Sequence, residues 1–72
     1  MKTAPLIKII VNNQTFSLEK KTSLNTFLIN NKYHPEKILT SINGHVVNSK
    51  DYRKIILKSN DQLELLAFVP GG

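Results

Sequence analysis

The chain has no cysteine and no tryptophan, a single arginine and only three glycines among 72 residues. Without cysteine there is no disulfide, no thiolate metal site and no thiol nucleophile, so any sulfur chemistry has to occur on another group. No apolar run approaches the ~20 residues that span a bilayer. Met1-Lys2-Thr3-Ala4-Pro5 is not followed by an uninterrupted apolar run with a small-residue cleavage site, so the chain is expected to be cytoplasmic, without a membrane partner. No glycine-rich phosphate loop is present. The five acids, Glu19, Glu36, Asp51, Asp61 and Glu64, form no evident carboxylate pair for acid–base work. His34 and His45 have no metal-ligand spacing and are read as surface residues. No catalytic residue, no metal site and no cofactor of the chain's own is assigned.

What is present describes a small basic module. Hydrophobic residues make up 40% of the chain and charged residues 21%, ordinary values for a globular fold. The length suits one domain, 1–72, and a domain this small buries only about 60% of its unfolded surface. That leaves little room for a deep cleft and favours a binding or carrier protein, a monomer when free, over a self-sufficient enzyme. The net charge is +5. Yet the nine lysines are scattered in runs of at most two, and the base-reading residue is nearly absent, Arg53 being the lone arginine. Attraction to an acidic partner surface therefore fits better than nucleic acid. The richness in Lys, Asn and Ile hints at an AT-rich coding genome, and an organelle stroma is the expected compartment if the gene is plastid-borne.

The pattern along the chain predicts strands at Leu6–Val11 and Gln14–Leu18 around an Asn12-Asn13 turn. A helix is expected from Ser23 to about Asn31, with Thr22 or Ser23 as N-cap, a Leu24-Phe27-Leu28 stripe and a left-handed asparagine at its end. Pro35 prevents continuation and restrains His34 to extended backbone. Further strands are predicted at Ile38–Ile42 and His45–Val47 around Asn43-Gly44, then a helical turn capped by Ser49, a connection through Ile55–Leu57 and a turn at Ser59-Asn60-Asp61. The last strand is predicted over Leu63–Val69, inserted parallel to the first. The fold class is α+β, a mixed sheet of four to five strands with one main helix across one face.

Alternation divides that last strand. Leu63, Leu65 and Ala67 are expected in the core with Leu24, Phe27 and Leu28. Glu64, Leu66 and Phe68 then lie on the open face, where Leu66 and Phe68 form a candidate partner interface. Beyond them come Val69-Pro70-Gly71-Gly72. Glycine has no Cβ, so a Gly-Gly tail can thread a channel closed to other residues. A terminal carboxyl has a reference pKa of roughly 3.3–3.7 and is ionised at neutral pH. Such a carboxylate at Gly72 can attack the α-phosphate of a nucleotide held by another enzyme. The last three residues reach at most about 10 Å, so that enzyme has to dock close by.

The segments Ser41-Ile42-Asn43-Gly44-His45-Val46-Val47, Asp51-Tyr52, Leu57, Asn60-Asp61-Gln62-Leu63-Glu64-Leu65-Leu66 and Phe68-Val69-Pro70-Gly71-Gly72 together resemble the sulfur-carrier protein of thiamine biosynthesis, the ThiS family. These are ubiquitin-like β-grasp proteins. Asn48 stands where the family often has proline, Asn60 where it often has glycine and Tyr52 where it often has tryptophan. Pro70 occupies a position where small or polar residues are common. The resemblance implies that a ubiquitin-activating-type adenylyltransferase (ThiF-like) uses ATP and Mg²⁺ to adenylate Gly72. A sulfur donor protein then delivers persulfide sulfur, leaving a thiocarboxylate that passes to thiazole synthase (ThiG-like). Three alternatives remain open at this stage. They are the small subunit of molybdopterin synthase, a ubiquitin-like protein modifier and, from a different class, a basic nucleic-acid-binding β-grasp module.

Overall fold

The structure is a computed structural model and describes residues 5–68. Leu6–Val11 forms β1 and Gln14–Glu19 forms β2, paired antiparallel. The β-branched-rich segment Ile7–Val11 favours a pleated strand. Asn12 and Asn13 turn the chain with φ of 47° and 70°, the left-handed pair that a tight hairpin needs.

Leu24–Asn30 forms the helix, α1. Ser23 is its N-cap, its hydroxyl accepting from the Thr26 N–H at 3.1 Å. The buried side of α1 is Leu24, Phe27 and Leu28, the expected stripe. Its exit differs from expectation. Asn31 has φ −103°, and its side-chain amide instead donates to the Phe27 carbonyl at 2.9 Å. The left-handed residue is Lys32, φ 66°. The N–H of Lys32 reaches Ile29 O and that of Tyr33 reaches Leu28 O, a Schellman ending with lysine at the usual glycine position.

A 3-10 turn over Pro35–Lys37 follows extended His34 and leads into β3, Ile38–Ile42. Asn43 and Gly44, both at positive φ, turn it into β4, His45–Val47. The next 3-10 turn is Ser49–Asp51. Its cap is Asn48 and not Ser49, because the Asn48 side-chain oxygen Oδ1 accepts from the Lys50 N–H at 3.3 Å. After the Ile55–Leu57 connection, Asn60 takes a left-handed conformation, φ 72°, in the predicted turn. The Asp61 carboxylate accepts from the Lys58 N–H at 2.8 Å. The last strand, β5, is Gln62–Ala67. It begins one residue before the predicted start, and Phe68 lies past its end. Val69, Pro70, Gly71 and Gly72 lie outside the described residues.

The sheet order is β2-β1-β5-β3-β4. β5 is parallel to β1 and antiparallel to β3, which confirms the mixed α+β sheet and the central last strand. Both sides of this arrangement need a side chain to finish the ladder. β1 pairs with β5 only at Gln62 and Leu63. Past that point Asn12 stands in for a strand: its side chain accepts from Leu65 N at 2.9 Å and donates to Leu65 O at 3.2 Å. On the far side, β4 covers only Thr40–Ile42 of β3. The Ile38 carbonyl, beyond that cover, accepts from the Tyr52 hydroxyl at 2.7 Å. Each bond satisfies backbone that would otherwise be an unmet polar group.

Ile9, Val11, Leu24, Phe27, Leu28, Ile38, Tyr52, Leu57, Leu63 and Leu65 form the core between α1 and the sheet. Phe16 of β2 meets Phe27 of α1 edge-on, ring centres 5.6 Å apart at 89°. Leu63 and Leu65 are buried as expected, but Ala67 is exposed. Ala67 pairs with Ile38 at the sheet's end, and its single methyl is too short to be covered there. One polar side chain sits in the core: Thr40 is 1% exposed and its hydroxyl has no hydrogen-bond partner.

Two single changes should move stability in opposite directions. Thr40→Val removes a buried, unpartnered hydroxyl and should raise the unfolding free energy by about 1 kcal/mol. Tyr52→Phe leaves the Ile38 carbonyl unpaired and should lower it by about 1–3 kcal/mol. Urea titrations read both as midpoint shifts at constant slope. A stability loss in Thr40→Val would mean that the hydroxyl does have a partner.

Candidate functional site

The end of β5 gathers several of the exposed apolar residues of the open sheet face. Register fixes which side chains share it. Leu39 of β3 is directly opposite Leu66 of β5, and Ser41 is opposite both Glu64 of β5 and Val46 of β4. Opposite residues lie on one face with Cβ atoms about 4.5–5.5 Å apart. The helix-facing partners are Thr40 with Leu65 and Ile42 with Leu63. Leu39, Ser41, Val46, Glu64 and Leu66 therefore look away from α1.

This face divides into a polar and an apolar part. The Ser41 hydroxyl donates to Glu64 Oε1 at 3.3 Å. Towards the end of β5 lie Leu39 (50% exposed), Leu66 (64%) and Phe68 (39%), with Val46 (80%) on β4 across from Ser41. Leu39, Val46 and Phe68 also line one groove beside Tyr52 and Val47. Exposed apolar side chains clustered in this way are what partner surfaces often present.

Phe68 is tied to the sheet although it is outside β5, because its N–H donates to the Lys37 carbonyl at 3.0 Å. The backbone that leads to Val69–Gly72 is thus positioned up to residue 68. Four more residues place Gly72 at most about 14 Å from Phe68, whatever path they take.

Leu66 and Phe68 are therefore exposed on the face opposite Leu63 and Leu65, as the alternation predicts. Gly72 and the tail Val69, Pro70 and Gly71 lie outside the described residues. The alternation of the last strand does not by itself name Leu39 and Val46 as members of this surface. Alternation in Ile38–Ile42 does put Leu39 opposite in sense to Ile38 and Thr40, but only the β3–β5 register brings it against Leu66. His34 and His45 are exposed. Among the described residues no group of three or more His, Asp or Glu side chains could hold a metal ion. No helix among them is long and apolar enough to cross a membrane.

No curated protein sequence matches the chain significantly. Solved structures do. The crystal structure of thiamine biosynthesis protein ThiS from Geobacter metallireducens superposes with a TM-score of 0.75 at 20% identity, covering 92% of this chain and 100% of that one. The NMR solution structure of a thiamine biosynthesis protein from the same organism gives 0.70 at 22% identity, covering 92% and 88%. At these identities the likeness establishes a shared fold, the β-grasp expected from the sequence. The ThiS family model matches residues 4–72. With nearly its whole length matched, the chain belongs to the ThiS family.

Proposed function

We propose that the chain is the sulfur carrier of thiamine biosynthesis in its source, and that Gly72 carries the sulfur. The observation that carries this reading is the family match over residues 4–72, which includes the Gly-Gly end. The central position of β5 supports it, because a strand bonded on both sides gives the tail a firm base. The chain acts as carrier and co-substrate, and the catalytic groups belong to its partners.

The chemistry follows from what a carboxylate lacks. Its carbon is a poor electrophile and its oxygen a poor leaving group. A Gly72 oxygen attacks the α-phosphorus of ATP in a ThiF-like adenylyltransferase, and pyrophosphate leaves with Mg²⁺ balancing its charge. The acyl adenylate has a good leaving group. A persulfide sulfur of the donor protein adds to the carbonyl and AMP departs, giving an acyl disulfide. A second thiol cleaves the S–S bond, so that thiol and the donor sulfur leave as a disulfide and Gly72 keeps a thiocarboxylate. No thiol of this chain takes part, since it has none. The soft sulfur nucleophile then passes to a ThiG-like thiazole synthase.

Leu66 and Phe68, extended by Leu39 and Val46, form the surface on which the adenylyltransferase docks. Covering them aims the tail, and the short reach from Phe68 makes that aim decisive. A displacement of even a few ångströms at the docking surface would carry the carboxylate away from the nucleotide.

Deleting Gly72 should abolish sulfur loading and ATP–pyrophosphate exchange in the activating enzyme. The unfolding midpoint should stay at its wild-type value, because the sheet and core lie within residues 6–67. Loading that survives the deletion would contradict the proposal. Leu66→Asp should weaken binding to the activating enzyme at least tenfold, about 1.4 kcal/mol, by placing a charge in an apolar contact. Calorimetry on a variant with a native circular dichroism spectrum measures it. Unchanged affinity would remove the surface from the account.

A further inference from the structure

A second groove lies between α1 and the two 3-10 turns. Asn25 and Ile29, one helical turn apart on α1, form one wall. Pro35 and Glu36 form another, and Ser49, Lys50 and Arg53 the third. Ile29 is 55% exposed although it is a large aliphatic residue on a helix whose other apolar residues are buried. Of the charged groups lining the groove, two are cations and one, Glu36, is an acid. Lys50 and Arg53 are three residues apart and both exposed, so their like charges stand on one rim without a stabilising role in the core.

This groove is continuous with the candidate site. Glu36 and Ser49 line both it and the groove that contains Leu39, Val46 and Phe68. A single protein that covers the end of β5 and follows the surface past Glu36 and Ser49 arrives at Ile29, Lys50 and Arg53.

We propose that the Ile29–Lys50–Arg53 groove is a second docking surface for the activating partner, and that it receives an acidic segment of that protein bearing an apolar side chain. The apolar side chain packs on Ile29 and Pro35, and the carboxylates face Lys50 and Arg53. Arginine's planar fork suits a carboxylate bidentately, and lysine adds a point charge. A nucleic acid is the poorer fit. No aromatic residue lines the groove on which a base could stack. The surface accounts for part of the net charge of +5 that neither the core nor the apolar site uses. Charged contacts at such a rim steer encounter, while the apolar contact holds the complex.

The inference rests on the carrier reading above, so the experiment separates the two. Association of the full chain with the purified ThiF-type adenylyltransferase from the same genome is followed by stopped-flow fluorescence, from low to physiological salt. The double variant K50E/R53E changes only exposed residues and keeps the fold. It should associate at least tenfold more slowly at low salt and show a flattened salt dependence, with dissociation little changed. K50Q/R53Q should fall between it and wild type, and Ile29→Asp should speed dissociation. Wild-type kinetics in K50E/R53E, together with weakened binding in Leu66→Asp, would overturn the second surface and leave the carrier reading standing. Wild-type kinetics in both would overturn the two together. Competition by a twenty-nucleotide single-stranded RNA at physiological salt would overturn the acidic segment in favour of nucleic acid.

Discussion

The centre of the sheet depends on two side chains that finish incomplete ladders, because β1 is too short for β5 and β4 is too short for β3, the strand that pairs along β5. β1 runs out after Leu63, and β4 never reaches Ile38. Asn12 and Tyr52 complete what those strands leave undone, one by copying a backbone amide for Leu65 and the other by taking the Ile38 carbonyl. With these bonds made, β5 is a fixed rail through the middle of the sheet. Its last described link, from Phe68 to Lys37, lies at the point where the chain leaves the described fold. A carrier whose reactive end must enter another protein's site needs such a fixed base, since each added residue of slack widens the volume the end explores.

The short neighbours have a second consequence. Where β4 stops, the β3 end is uncovered, and the groove beside Leu39, Val46 and Phe68 opens there. The same economy of strand length that requires Tyr52 thus also creates the apolar surface. Among the described residues one seven-residue α-helix covers the core, and the opposite face of the sheet is left open. For a 72-residue chain this is a workable division. One face is used for stability, and the other is left exposed.

Much of this is legible in the residues. The limits of β1, β3 and β4 follow from β-branched runs punctuated by asparagine and glycine, and Ser23 with the Leu24-Phe27-Leu28 stripe announces α1. The last strand's alternation correctly separates Leu63 and Leu65 from Leu66 and Phe68. What escapes the sequence is what depends on tertiary register. Nothing local says that Asn12 serves Leu65, 53 positions away. Nor does anything local pair Leu39 with Leu66. Lys21 and Lys32 adopt left-handed backbone that their side chains do not favour, because the flanking hydrogen bonds impose it. The choice of Asn48 over Ser49 as cap is settled by where β4 ends. Tyr52 reads from sequence as an aromatic filler, while its hydroxyl does the more specific work.

The central claim is that Gly72 accepts sulfur. The measurement that meets it most directly is mass spectrometry of the intact chain and its C-terminal peptide after incubation with ATP, the activating enzyme and a persulfide donor. The account predicts a gain equal to one oxygen-for-sulfur exchange, confined to Gly72 and absent without ATP. An unchanged mass in the presence of a demonstrably active enzyme, or sulfur found elsewhere on the chain, would contradict it.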